Sequence, residues 1–337
     1  MKRIVWIDYA KSMAIFLVVL LHVHCTYEVS KIINAMIMPM FFMLSGYLFS
    51  YDRNPSQLRF VRKRSRQLLV PYLWINIVAW MAWVVVLRHF GEDAASEIEW
   101  HTPLRGIFTG VAPMLVHDIP LWSLLSFFVV EMVFYPLGRK ISRACAVGLM
   151  ALALSLGLYI LFPARISSLP FVIGPSLAAL VFYTIGYLWQ RAESVWQINK
   201  VLFGWPVAVI YILIFSVAFD ANGYVDFYIC HFGDYLLFFI SSLTGSRAVI
   251  SLMRGLASLI GSNRLVCFIS DGTLIICGFH LLVFAAIKGI ALFIFGLQPE
   301  QITKGLLPGS VFAITAFAAT LPIVWFVRRF MRGLVDK

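Results

Sequence analysis

The stretch Asp8-Tyr-Ala-Lys11-Ser-Met-Ala-Ile-Phe-Leu-Val-Val-Leu-Leu-His22 decides the fold. Its apolar run from Met13 to Leu21 continues a hydrophobic segment that is too long to be broken by its three ionisable residues, so Asp8, Lys11 and His22 lie within a first membrane span. On an α-helix the eleven steps from Lys11 to His22 turn through about 1,100°, three turns plus about 20°, and rise about 16 Å. Lys11 and His22 therefore share one face at different depths, and Asp8, three residues before Lys11, is within reach of it on the same side. Ionisable groups in a span are costly to keep there and point to a functional site.

The rest of the chain agrees with this reading. Of 337 residues 61% are hydrophobic and 13% charged, and the mean hydropathy is +0.88. A soluble domain of this length has no interior large enough for so much apolar surface, which makes the chain an all-α polytopic membrane protein. Lys2 and Arg3 before the apolar run resemble a signal peptide, but Asp8 and Lys11 interrupt it and no small-x-small cleavage site follows, so the first span is expected to be retained. Cys25, Cys145, Cys230, Cys267 and Cys277 show no metal-ligand spacing. No metal site is expected, and the sequence reads as a single transmembrane domain over residues 1–337 with no separate soluble domain.

Hydropathy marks about ten transmembrane helices, near residues 4–24, 32–50, 69–88, 119–137, 144–162, 169–189, 201–218, 235–252, 265–286 and 305–327. An even number places the N-terminus and the C-terminus on the same side. With both cytoplasmic, inner segments carry twenty of the 27 basic residues, including the run from Arg59 to Arg66, while the outer loops hold most acids, among them Glu92, Asp93, Glu97, Asp118, Asp220 and Asp226. That is the positive-inside pattern. It accounts for the net charge of +11 without nucleic acid as a partner.

Several groups are placed to do chemistry. His22, in the outer half of span one, is either a general base or a histidine bonded to a neighbouring helix. Lys11 and Asp8, near the inner end, are either a structural ion pair or a contact for an anionic cofactor entering from inside. Arg59, Arg62, Lys63 and Arg66 recur at i, i+3/i+4, i+7 with Arg64 between them, and serve either as an anchor on anionic lipid or as a phosphate-binding face. His280 in span nine, flanked along the chain by Asp271 and Lys288, and Glu131 in span four extend the polar groups through the membrane interior. Outside, the loop Asp220-Ala-Asn-Gly-Tyr-Val-Asp226-Phe-Tyr-Ile-Cys-His231 mixes carboxylates, an amide and aromatic rings, which suits carbohydrate or an ordinary interfacial loop. No Gly-rich phosphate loop, G-x-S-x-G or His-x-x-x-His pattern is present.

These residues resemble the membrane acyltransferase-3 family, which includes the fucose-4-O-acetylase-like and bacterial surface-polysaccharide O-acetyltransferases. The resemblance rests on Lys11-x10-His22 in span one, where the family has a basic residue, ten residues and His. It extends to Pro39-Met-Phe-Phe-Met-Leu-Ser45-Gly46-Tyr47 and to the basic run ending Arg66-Gln-Leu-Leu-Val-Pro71-Tyr72. Leu121-Trp122-Ser-Leu, Phe182-Tyr183-Thr-Ile-Gly186-Tyr187 and Gly278-Phe-His280 follow in the family's order. Two positions differ from the commoner pattern: Lys11 stands where Arg is frequent, and Cys277 where an aromatic is frequent.

The resemblance implies an integral membrane O-acyltransferase of the cell inner membrane, usually moving acetyl from acetyl-CoA on the inner side to a sugar hydroxyl of an envelope polysaccharide or lipid-linked oligosaccharide. In that scheme the basic run and Lys11 would meet the CoA, and His22 would deprotonate the acceptor or carry the acyl group; Asp8, His280 and Glu131 join it as catalytic candidates. The alternatives are a proton-coupled secondary transporter relaying through Asp8, Lys11, Glu131 and His280, for which no internal repeat is evident, and a non-catalytic scaffold.

Overall fold

The structure, a computed structural model, describes residues 3–24, 26–90, 98–196 and 205–335. Lys2, Cys25, the acidic residues Glu92, Asp93 and Glu97, Lys200 and Lys337 lie outside the described residues. A chain this apolar has to satisfy its backbone within each segment, because the hydrocarbon region offers no water to hydrogen-bond. The described chain is accordingly helical: α1 Val5–Val23, α2 Tyr27–Leu48, α3 Gln57–Arg64, α4 Val70–Val85, α5 Thr102–Thr109, α6 Trp122–Leu137, α7 Ile141–Leu161, α8 Ile173–Trp196, α9 Trp205–Asn222, α10 Tyr235–Ile260, α11 Arg264–Phe295, the short α12 Pro299–Thr303, α13 Leu306–Phe330 and α14 Arg332–Val335. The β-structure among these residues is one isolated bridge, Asp226 with His231.

Nine helical segments are long and apolar enough to cross a membrane among the described residues. The sequence leads one to expect ten. The remaining candidate, 201–218, overlaps α9, and residues 201–204 at its start are outside the described set. Three of the described spans, α2, α10 and α11, start on side-chain caps. Thr26 accepts from the Val29 amide at 3.3 Å, Asp234 from Leu237 at 2.9 Å and Asn263 from Leu265 at 2.9 Å, each satisfying an amide that has no partner within its helix.

The third span begins earlier than hydropathy alone indicates. Gln57–His89 runs as one segment, so the basic run forms its first turns rather than a loop. Ser65–Leu69 takes a π-helical turn between α3 and α4. Pro71 explains why the helix must adjust here, since its ring would clash with the carbonyl four residues back and it has no N–H to return.

α1 sits at the centre, packed on α2, α10, α11 and α13, and α2 lies between α1, α8 and α10. α2 divides the interior. Phe42 and Met43 enter a core shared with α6, α8 and the loop after α9, whereas Ile37, Met40 and Leu44 enter one shared with α1, α11 and α13. The outer apolar surface faces lipid, as with Leu161, 70% exposed, and Val217, 74% exposed.

The contact of α2 with α8 is made by the two glycines of the sequence landmarks. A Cβ on Gly46 would overlap the carbonyl oxygen of Tyr183, and one on Gly186 would overlap that of Met43. Small residues let membrane helices approach to backbone contact. Gly46→Ala and Gly186→Ala should each cost about 1–3 kcal/mol by overpacking, read as a lower melting temperature in detergent; unchanged melting in both variants would refute this close approach.

Candidate active site

A cavity of about 540 Å³ lies between the two halves of the interior, a volume typical of small-molecule sites. Lys11 and His22 of α1, Ser45 of α2, Arg64 of α3, Asp271 of α11, and Asn34 and Asp226 all line it. One space thus joins the basic end of span one to the loop after α9.

His22 donates from Nδ1 to the carbonyl of Val18 at 2.8 Å. A carbonyl only accepts, so this bond fixes the proton on Nδ1 and leaves the Nε2 lone pair of the neutral ring as a base. His280 stands beside it, ring centroids 5.0 Å apart and planes at 63°. His280 is fully buried and does not line the cavity. Its Nδ1 meets the carbonyls of Cys277 at 2.8 Å and Ile276 at 3.1 Å, while Nε2 has no hydrogen-bond partner. Two residues earlier, Gly278 lets α11 lie close to α4 and the turn before α6, since a Cβ there would press on Ile75 and Leu121.

At the other end Asp8 and Lys11 part company. The expected pair is not formed. Asp8 receives Arg3, at 2.6 Å to Nε and 3.0 Å to Nη2, and the hydroxyl of Ser270 at 2.7 Å. Arg3 also donates to Asp271 at 2.9 Å, and Asp271 receives Arg328 at 3.4 Å. Lys11 instead donates to the carbonyl of Ser270 at 2.9 Å. Among the described residues no carboxylate is within ion-pair distance of Lys11, which leaves its ammonium, with three donors, facing the cavity. Asp8 is buried and absent from the cavity wall.

The basic run splits between surface and interior. Arg59, Arg62, Lys63 and Arg66 are exposed. Arg64 turns inward, its Nε and Nη2 forming a bidentate ion pair with Glu131, and its Nη1 donating to Gln67 at 2.8 Å. Glu131, with a side chain 1% exposed, also receives Ser45 Oγ at 3.5 Å. Glu131 is not on the cavity wall; Arg64 and Ser45 are.

Sequence reasoning passed over the roles of Arg3, Ser270 and Ser45, and it missed a buried cluster where α4 meets the turn before α6. Asn76 donates to the Tyr72 carbonyl at 2.7 Å and bonds His117 Nε2 at 3.0 Å. Asp118 beside it is 1% exposed, and neither carboxyl oxygen has a partner. Burial pushes the Asp118 carboxyl well above the usual carboxylate range and lowers His117 to about 4. No periodicity announced this cluster. Its one signal is a His-Asp dipeptide directly before an apolar span.

Among the described residues no group of three or more His, Cys, Asp or Glu is arranged to hold a metal ion. No curated protein and no solved structure matches the chain. A family model described as an acyltransferase domain matches residues 4–329, nearly the whole chain. The cavity lined by His22 and by the cations of Lys11 and Arg64 is thus carried on a chain that belongs to the acyltransferase 3 family of membrane acyltransferases.

Proposed function

We propose that this protein moves an acyl group, acetyl in the simplest case, from acyl-CoA on the cytoplasmic side to a sugar hydroxyl of an envelope polysaccharide or lipid-linked glycan. The observation that carries the reading is the single cavity that reaches from Lys11 and Arg64, past His22, to Asn34 and Asp226. The bias of basic residues supports cytoplasmic termini and the Lys11 end as the donor side; the bacterial inner membrane is proposed from the family resemblance alone.

In this scheme the exposed Arg59, Arg62, Lys63 and Arg66 take the CoA phosphates, for which guanidinium forks are suited. Lys11 and Arg64 meet the donor deeper in. His22 Nε2 removes the proton from the acceptor hydroxyl as that oxygen attacks the thioester carbonyl. The tetrahedral intermediate collapses, the carbon–sulfur bond breaks, and the thiolate of CoA leaves with the proton returned from His22. A route in which His22 first carries the acyl group has the same balance in two displacements. His280 supports the His22 ring from behind, Asp8 holds the mouth of span one through Arg3 and Ser270, and Glu131 holds Arg64.

A polar cavity inside the bundle would also serve proton-coupled transport, and the decisive test separates the two. Envelope glycan from cells with and without the protein is compared by mass spectrometry, with acyl-CoA consumption followed in reconstituted vesicles. The expected result is one acyl group more per repeat when the protein is present. Solute uptake without acyl-CoA consumption would favour the transporter instead.

Lys11→Met should raise the acyl-CoA KM by about 10-fold to 100-fold, the equivalent of one lost charge-assisted hydrogen bond, while Lys11→Arg restores most of it. Equal KM values in all three proteins would remove Lys11 from the donor site.

A further inference from the structure

The hairpin between α9 and α10 is a built feature and not a slack connection. Asp226 and His231 exchange backbone hydrogen bonds at 2.8 and 2.9 Å. Phe227, Cys230 and Phe232 are each at most 2% exposed within the core, and Phe227 stacks on Trp122 with planes at 18°. Tyr228 donates its hydroxyl to the Ala112 carbonyl, and Tyr159 donates to Gly233 at 2.9 Å. The base is closed by Asn222, which donates to the Phe232 carbonyl at 3.0 Å and accepts from the Asp234 amide at 2.7 Å. All this anchoring positions a short polar chain on the cavity wall: Asn34 Nδ2 donates to the Tyr224 hydroxyl at 3.3 Å, and that hydroxyl donates to Asp226 Oδ2 at 3.2 Å. Asp226 Oδ1 receives the Tyr228 amide at 3.0 Å.

The inventory of these groups is uneven. A carboxylate has about four acceptor positions, and two on Asp226 are used. Asn34 spends one amide hydrogen on Tyr224 and keeps its carbonyl oxygen. The ring of Tyr224 is stacked with that of Tyr27, centroids 6.1 Å apart and planes at 23°. Spare acceptors beside a rigid aromatic face match a ligand that carries several hydroxyls on one side of an apolar ring. Asn34, Tyr224 and Asp226 line the same cavity as His22, so a ligand held there shares one space with that ring.

We propose that Asp226, Tyr224 and Asn34 form the subsite that receives the acceptor sugar, with Asp226 accepting from two neighbouring hydroxyls. This rests on the acyl-transfer reading above only for its purpose; binding of the sugar stands or falls by itself. A carboxylate that accepts from two hydroxyls at once sets which vicinal pair is held and therefore which hydroxyl is presented to His22, so these residues determine specificity.

The test uses the full chain in detergent micelles and saturation-transfer NMR with methyl glucopyranoside, methyl galactopyranoside and methyl mannopyranoside. Glycerol, the polyol of a lipid headgroup, is the comparison. At least one glycoside should receive ring-proton saturation well above glycerol. Asp226→Asn, which keeps an oxygen for the Tyr228 amide, should reduce that signal at least fivefold, and Asn34→Ala should reduce it as well. Thermal stabilisation by acetyl-CoA, measured on the same samples, should be the same in wild type and both variants, which shows that the bundle is intact. No glycoside signal above glycerol, or an equal signal in wild type and both variants, would overturn the subsite. A glycoside signal that depends on Asp226, in a protein that transfers no acyl group to any glycan, would leave the subsite standing and sink the acyl-transfer reading.

Discussion

His22→Ala is expected to lower acyl transfer by about 10²-fold to 10⁴-fold, the usual contribution of a positioned general base, with acyl-CoA binding retained. Because Val18 offers a carbonyl to Nδ1 at 2.8 Å, the basic electron pair of the ring sits on Nε2, on a side chain that lines the cavity. His280 is bound in the same sense by Cys277 and Ile276, but it is sealed behind His22. Its replacement should therefore act on the orientation of His22 and cost less. His22→Asn sharpens the test, since its amide nitrogen can keep the Val18 contact without supplying a base. Alanine and asparagine should then be equally inactive. Substantial activity in the asparagine variant would mean that His22 works by packing, and that the proton goes elsewhere.

How much of this could be read from the chain depends on how local the determining interactions are. Span one, its shared Lys11 and His22 face and the succession of apolar helices follow from periodicity over a few turns, and the structure shows them. The landmarks Ser45-Gly46-Tyr47 and Gly186-Tyr187 were visible as motifs, but their meaning was not: each glycine yields to a backbone carbonyl on the other helix, a contact about 140 residues apart in sequence that no helical wheel contains. The partner of Asp8 was misjudged for a related reason. Spacing favours Lys11, whereas the chain before α1 brings Arg3 back to Asp8 and on to Asp271 of α11, and that frees Lys11 for the cavity. The inward turn of Arg64 depends on the π-helical segment ahead of Pro71, which changes the register of the helix face. The polar chain from Asn34 to Asp226 depends on a hairpin fastened to α6, α7 and the segment around Ala112. Its composition hinted at a function, and its position needed the fold.

The second large effect concerns Arg64 and Glu131, and it takes the form of a rescue. Glu131→Ala leaves a guanidinium inside the bundle without its bidentate partner, while Arg64→Ala leaves a carboxylate with 1% of its side chain exposed. Breaking a buried pair from one side costs about 3–5 kcal/mol, because the remaining charge is uncompensated. Either single variant should therefore express poorly and melt early in detergent. Replacing both with apolar residues of similar volume, Arg64→Met with Glu131→Leu, removes the desolvation cost of two charges together with their attraction, a change often neutral or stabilising. The double variant should recover the melting temperature. It should not recover activity if, as we propose, the guanidinium on the cavity wall belongs to the donor site, because a methionine presents no cation to the acyl-CoA. Stability and turnover thus separate in one protein. A double variant that is both stable and active would make the pair a packing element alone and leave the donor to Lys11 and the exposed basic face; one that stays unstable would show that Ser45 and Gln67, which also bond the pair, require its charges.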